Sequence, residues 1–231
     1  MPEKIAIISD VHSNLHALEA VLKDIRQKDC KTILFAGDVV GYGAFPNECC
    51  EKLQEVCKII IQGNHDANLD FKRLDWFNPD AQEALRWTEA RLTRPLKSWL
   101  LGLPKEWQGE ITGRKIYMTH GSPDDPLYAY VMPNTDPKLF GRWLNEKRAN
   151  VLIMGHTHIP FVRKLTQGLI INAGSVGQPR DGDPRACWIE LDLEKLDAQI
   201  HRVGYAVERA AEEIQKQGLP KFLAERLFEG I

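Results

Sequence analysis

The first 63 residues alternate apolar runs with amphipathic ones in a way that leaves few folds open. "KIAIIS" at 4–9 is short, isoleucine-rich and bounded by polar residues, which reads as a buried strand. Asn14 stands where it can cap a helix reaching about Gln27, with Leu15, Leu18, Val21, Leu22 and Ile25 on one face. "TILFAG" (32–37) predicts a second strand, Pro46 to about Val56 a second helix, and "KIIIQG" (58–63) a third strand. Strand–helix–strand–helix–strand at this spacing predicts a right-handed, parallel α/β core.

Further along the pattern changes. Residues 70–103 read as a helical, cap-like insertion rich in aromatics (Phe71, Trp76, Phe77, Trp87, Trp99). "NPDAQEALRWTEARL" has Ala84, Leu85, Thr88 and Leu92 on one face, and Thr93 or Arg94 caps a second helix that tolerates Pro95 in its first turn. The aromatics are either core or a cap over a ligand cleft. "WQGEIT-GR-KIYMTH" predicts a strand pair with Gly113 in its turn, and "GSPDDPLYAYVMPNTDP" a loop. After a helix at 138–147 come "VLIMGH", "FVRKLTQGLIINAG", "ACWIELDL" and "AQIHRVGY". Their turn-linked succession suggests a second, mixed or antiparallel sheet. Residues 205–231 close the chain with helices, of which "AVERAAEEIQKQG" ends at Gly218 and Pro220. With no linker or repeat, residues 1–231 read as one domain.

Composition narrows the class. A 43% hydrophobic, 27% charged chain with a formal charge of −2 has no electrostatic reason to serve duplex DNA or anionic membranes. The five cysteines fit no zinc or redox spacing, and the adjacent Cys49 and Cys50 are poor disulfide partners, so reduced thiols in a cytoplasmic protein are expected. The start, "MPEKIAIISD", lacks a signal peptide's long apolar region. No apolar run reaches the roughly 20 residues that span a bilayer.

Five of the seven histidines stand at strand ends, in "SDVHSN", "QGNHDAN", "MTHGSP" and "MGHTHIP", while "AGDVVGYG" supplies Asp38. Groups beyond strand C-termini converge on one edge of an α/β sheet, so Asp10, His12, Asp38, Asn64, His120, His156 and His158 should meet. Seven nitrogen and oxygen ligands exceed one four-coordinate zinc and suit two ions sharing a carboxylate. Without a thiolate, the set suits Mn, Fe, Co, Ni or Zn. Each piece alone has a plain reading as a loop, a turn or a satisfied histidine. Joint occurrence makes that reading a poor one. His201 is expected to be a surface strand residue and His16 a helix-face residue.

The ordered set D-x-H, G-D, G-N-H-D, H-G and G-H-T-H resembles the calcineurin-like metallophosphoesterase superfamily from Asp10 to His158. "INAGSVGQPRDGDPRA" resembles the tail of its small bacterial and archaeal phosphodiesterase branch. The resemblance implies an α/β four-layer sandwich, two facing mixed sheets flanked by helices, with a dinuclear metal site at strand C-terminal ends. It implies that Asp10, His12 and His158 hold one divalent ion, that Asn64, His120 and His156 hold the other, and that Asp38 bridges them. His65 matches the family's general acid, and Asp66 either orients that ring or is a turn residue. The implied reaction is hydrolysis of a phosphate ester, with hydroxide generated between the ions and His65 protonating the leaving group.

One departure stands out. Superfamily members that are phosphoprotein phosphatases carry arginine before Gly-Asn-His, where this chain has Gln62, which speaks against a protein-phosphatase reading. Asn14, Tyr42 and Arg180 are candidate substrate contacts, although Arg180 could instead pair with Asp181 or Asp183. The expected partner is a small phosphoester, nucleotide-derived ones included. Alternatives are a phosphomonoesterase or nucleotide pyrophosphatase with the same core, or a non-catalytic scaffold. The presence of His65 argues against the scaffold. A nuclease is disfavoured by the lack of an aromatic-interleaved basic stretch. Phe222, Leu223, Leu227 and Phe228 could pack on the domain or join two copies as a homo-oligomer.

Overall fold

Isoleucine at alternate and adjacent positions lets β1 (Lys4–Ile8) be buried on both faces. In the computed structural model, which describes residues 4–231, β1 pairs in parallel with β2 (Thr32–Phe35), and β2 with β3 (Ile59–Ile60). Residues 1–3, the start of the segment read as lacking a signal peptide, lie outside the described residues. The crossovers are α1 (Leu15–Gln27) and α2 (Pro46–Val56). Asn14 Oδ1 accepts the Ala17 N–H at 3.1 Å and so starts α1, whose buried face is Ala17, Leu18, Val21, Leu22 and Ile25.

The second sheet holds β4 (Glu106–Ile111), β5 (Arg114–Thr119), β6 (Val151–Met154), β7 (Phe161–Lys164) and β8 (Leu169–Asn172), in the order β4-β5-β6-β8-β7. Thr112 and Gly113, with φ of 48° and 78°, make the β4–β5 turn, and two positive φ values match the right-handed twist of a tight hairpin. The last two strands depart from expectation. β9 (Ala186–Asp192) and β10 (Asp197–Val203) return to the first sheet, whose order is β10-β9-β1-β2-β3. The physical reason is the free edge of β1: a strand buried on both faces cannot leave its backbone groups unpaired. β9 pairs antiparallel with it, bringing Ile189 opposite Ile7 and Leu191 opposite Ile5.

Inward-facing Ile5, Ile7 and Leu34 of one sheet share a core with Met118, Ile153 and Ile171 of the other. The outer face of the first sheet, with Ile8, Phe35 and Trp188, is covered by α1, α2 and the helices α4 (Pro79–Arg91) and α5 (Arg94–Leu101). The outer face of the second, with Tyr117, Leu152 and Ile170, is covered by Phe140, Trp143 and Leu144 of α6 (Pro137–Lys147). The result is four layers, helix–sheet–sheet–helix, as expected.

Asn64–Ala67 forms the one-turn α3, and α4 follows a 3-10 turn at Leu74–Trp76. α4 packs two ways: Leu85 joins the outer core, while Ala81 and Ala84 meet α7 (Val207–Lys216) and α8 (Lys221–Glu229). The four apolar positions near the C-terminus divide accordingly, with Leu223 and Leu227 buried and Phe222 and Phe228 exposed. His201 lies half-buried on the edge strand β10. Its ring stacks on Trp188 at 4.4 Å and its Nε2 lies 3.2 Å from Glu190. Among the described residues no helix is long and apolar enough to cross a membrane.

Candidate metal centre

The C-terminal ends of β1, β2, β5 and β6 open into loops that carry Asp10, His12, Asp38, His120, His156 and His158, all buried. Hydrogen bonds from Asp10 N to Gly37 O, from Val11 N to Asp38 O and from Ser13 N to Val39 O tie the first two loops together. Asp10, His12, Asp38, Tyr42, His156 and His158 all have φ between 48° and 68°. Left-handed backbone costs a non-glycine residue of order 1–3 kcal/mol and clusters where surrounding structure holds a functional geometry.

Each carboxylate is anchored by one oxygen and offers the other. Asp10 Oδ2 accepts Ser9 Oγ–H at 2.5 Å and His156 N–H at 3.1 Å, while its Oδ1 is buried without a hydrogen-bond partner among the described residues. Asp38 Oδ1 accepts the His65 N–H at 2.8 Å, while its Oδ2 lies 3.3 Å from His120 Nε2 and 3.6 Å from His12 Nε2. The imidazoles are treated alike. His12 Nδ1 meets Val40 O at 3.0 Å, His120 Nδ1 meets Ala36 O at 2.8 Å, and His158 Nδ1 meets Gln178 O. A carbonyl can only accept, so each Nδ1 carries its proton and each ring turns Nε2 toward the centre, a bare lone pair whenever the ring is neutral.

Those lone pairs need a cation. His12 Nε2 and His158 Nε2 face each other at 3.0 Å, with Asp10 Oδ1 3.1 Å from the latter. Acceptors at that separation repel unless positive charge lies among them, so the donor set fits metal. Burial opposes charge on His120, yet Asp38 and Asp10 override it and raise its pKa, as in a pocket that draws cations. Two groups of converging ligand atoms, Asp10–His12–His158 and Asp10–Asp38–His120, could each hold an ion. Asn64 Oδ1 lies 3.1 Å from His120 Nε2 on the second side. His156 lies on that side, outside the converging groups, with its ring 5.0 Å from that of His120. Its Nε2 is engaged by Tyr128 O, which leaves Nδ1.

The model of the calcineurin-like phosphoesterase superfamily domain matches residues 4–195. This chain belongs to the calcineurin-like phosphoesterase superfamily. An uncharacterized protein of Methanocaldococcus jannaschii is 38% identical over 243 residues, covering 98% of each chain. The phosphodiesterase YfcE of Escherichia coli is 27% identical over 203 residues, covering 84% of this chain and 89% of its own. The crystal structure of a metallophosphoesterase from Sphaerobacter thermophilus superposes with a TM-score of 0.84 at 33% identity, with 100% of both chains covered. Membership in this superfamily supports a hydrolase of phosphoesters.

Within this superfamily framework, His65 is held by rings. It sits edge-on to His12, Tyr42 and Phe77 at centroid distances of 4.7, 4.6 and 4.8 Å, and lines the cleft beside Asp38, His156 and His158. Burial pulls its pKa well below the usual imidazole range, despite the Asp38 charge. It also stands close enough to His12 and Asp38 for the three to form a third converging group. Asp66 does not orient the ring, since His65 Nδ1 is buried with no partner among the described residues. The Asp66 carboxylate instead accepts backbone N–H groups of Gly63, Asp38, Val39 and Val40 at 3.0–3.2 Å. It clamps the Asp38 loop to α3. Replacing Asp66 with alanine strands several buried donors and should cost about 3 kcal/mol or more, read as a lower urea midpoint. Full stability with turnover alone lost would return Asp66 to the ring-orienting role.

Asn14 does not line the cleft that holds His65: Oδ1 caps α1 and Nδ2 donates to Gly177 O at 2.8 Å. Arg180 does line the cleft, together with Tyr42. It does not pair with Asp181, which binds Arg202, or Asp183, which binds Arg185. Its Nη2 donates to Gln178 Oε1 at 2.7 Å and to Tyr42 Oη at 3.3 Å, so no carboxylate among the described residues neutralises it. Gln62 turns away, donating to Leu100 O at 2.8 Å. Missing from the sequence reading were Ser9, Tyr128 and Tyr130. The two tyrosines lie at alternate positions of an irregular segment just after His120, a spacing that could have flagged them.

Proposed function

We propose that this chain is a phosphodiesterase working with two divalent ions, and that His65 is its general acid. The observation that carries this reading is the convergence of bare imidazole nitrogens and carboxylate oxygens directly beside a buried, unligated histidine ring nitrogen. Asp10, His12 and His158 would hold one ion, Asn64, His120 and His156 the other, and Asp38 both, from the Mn, Fe, Co, Ni and Zn series. Bound there, such ions supply charge to neutralise phosphoryl oxygens and to acidify water.

The chain's own groups do the rest. Arg180, a cation without a carboxylate partner among the described residues, lines the cleft that would receive the phosphoester. His65 gives a proton to the departing oxygen. Its environment keeps the ring neutral in the free protein, and the negative charge of an arriving phosphoester favours the protonated form. Phe77, packed on the ring edge, limits how the imidazole can swing. The relative named phosphodiesterase supports diester over monoester chemistry.

The test is turnover of bis(p-nitrophenyl) phosphate and of p-nitrophenyl phosphate, with Mn²⁺, Ni²⁺, Co²⁺ and Zn²⁺ added separately. Hydrolysis of the diester at the greater rate is expected. Faster monoester hydrolysis would replace the diesterase reading, and no turnover with any metal would overturn the enzyme reading.

A further inference from the structure

Of all the large apolar side chains among the described residues, Trp76 and Tyr130 are the most exposed, at 60% and 66%. Both line the same cleft as Asp38, Asn64, His65 and Arg180, which has a volume of about 440 Å³, within the usual range for a small-molecule site. They approach it from different parts of the chain, Trp76 from the turn before α4 and Tyr130 from the loop after β5. Exposed aromatic area is unfavourable in water, and here it is concentrated beside the metal centre.

These rings are also held in place. Leu74, buried in the outer core, anchors the turn that presents Trp76. Trp76 meets Tyr128 edge-on at 5.0 Å, and the Arg73 guanidinium lies 4.5 Å from the Trp76 ring centre and 5.2 Å from that of Tyr128. Asn68 Nδ2 fixes the Tyr128 hydroxyl at 2.9 Å. Tyr130 lies over His156 at 4.2 Å, with 35° between the ring planes. A prearranged aromatic wall with a guanidinium behind it suits a planar, electron-rich ring, and ordering such a wall in advance reduces the entropy lost on binding. The cleft also carries a donor for a ring edge: Asn78 Oδ1 caps α4 at 3.0 Å, leaving its amide nitrogen. An alkyl chain would use neither feature.

Resting on the phosphodiesterase reading, we infer that the substrate class is a nucleotide phosphoester whose base stacks on the Trp76 wall while its phosphate lies at the metal centre and Arg180. Trp76 is then a specificity residue, far enough out on the rim that its removal leaves the ligand cluster intact.

The test compares binding of adenosine monophosphate and ribose 5-phosphate to the metal-loaded protein by calorimetry. Base stacking on an aromatic ring corresponds to roughly 5–150-fold in affinity, so the nucleotide should bind at least about fivefold more tightly. Trp76→Ala should abolish most of that preference without changing the affinity for ribose 5-phosphate, and Trp76→Phe should keep it. In parallel, Trp76→Ala should lower kcat/KM for thymidine 5′-(p-nitrophenyl) phosphate but not for methyl p-nitrophenyl phosphate, which shares the leaving group. Equal affinity for the two ligands in the unaltered protein, binding of neither, or equal weakening of both by Trp76→Ala overturns the base subsite, whatever the turnover. A base preference that needs Trp76, in a protein that hydrolyses neither ester, upholds the subsite and overturns the phosphodiesterase reading instead.

Discussion

Replacing His65 with alanine should leave the metal content unchanged and lower turnover of diesters with poor leaving groups by on the order of 10²–10⁴-fold, the usual contribution of a general acid. With p-nitrophenolate, which departs without help, the loss should stay within about tenfold. The contrast matters because His65 stands near both Asp38 and His12, close enough to be a ligand. A ligand's loss would lower metal occupancy and slow all substrates alike; a general acid's loss would sort substrates by leaving-group pKa. His65 also packs among three rings, so alanine leaves a cavity. His65→Gln fills more of it and should give the same substrate dependence. Equal losses on good and poor leaving groups, or metal lost from both variants, would count against the acid role.

The second large effect is expected at Asp38. Asparagine preserves its shape, and the amide oxygen can still accept the His65 N–H that Asp38 Oδ1 accepts at 2.8 Å. What changes is the other oxygen, between His120 Nε2 and His12 Nε2 at 3.3 and 3.6 Å, which becomes an uncharged NH₂. Asp38→Asn should therefore weaken both ions together. The loss should exceed the roughly 10–100-fold in affinity that removing an outer-shell partner costs. His156→Ala should mainly empty one site, because its ring lies beside His120, while it reaches Asp10 through its backbone N–H and not as one of the Asp10–His12–His158 ligand atoms. Titration with Mn²⁺ followed by metal analysis distinguishes these outcomes. Loss of a single ion from Asp38→Asn would place Asp38 on one side only.

Gly63 shows how tightly Asp38 is seated. A Cβ on Gly63 would lie 2.0 Å from Asp38 Oδ1 and 2.2 Å from its backbone nitrogen, so Gly63→Ala should reproduce the metal loss of Asp38→Asn without touching a ligand. Gly155 plays the same part for Asp10, where a Cβ would meet Ser9 Oγ at 2.2 Å and Asp10 Oδ2 at 2.7 Å. In "LIMGHTHIP" the glycine thus makes room for a neighbouring carboxylate, while His158 joins Asp10 and His12 and the His156 ring lies beside His120.

Much of this was legible because it is local. Each candidate ligand follows an apolar strand run, and parallel strands bring their C-terminal ends to one edge, so the cluster from Asp10 to His158 could be assembled from sequence. The placement of β9 and β10 was not local. It depends on which strand has an open edge, and the hydrophobic pattern of "ACWIELDL" fits either sheet. Asp66 stood open between orienting His65 and a turn role for a related reason: its neighbour in sequence is His65, but most of its partners are amides of the loop after β2, some 27 positions away. Arg180 was ambiguous because its two nearby aspartates find other arginines, Arg202 and Arg185, which no spacing rule reveals. The aromatic segment held both alternatives at once. Phe71 and Trp99 pack on the core, and Trp76 lines the cleft.

The chemistry proposed for the cleft requires the ring nitrogens and carboxylate oxygens to be metal ligands. The most direct measurement is the metal content of the purified protein after saturation with Mn²⁺ and removal of free ion, by elemental analysis against protein concentration. Two ions per chain are predicted, falling toward zero in Asp38→Asn and toward one in His156→Ala. One ion or none in the unaltered protein would contradict it.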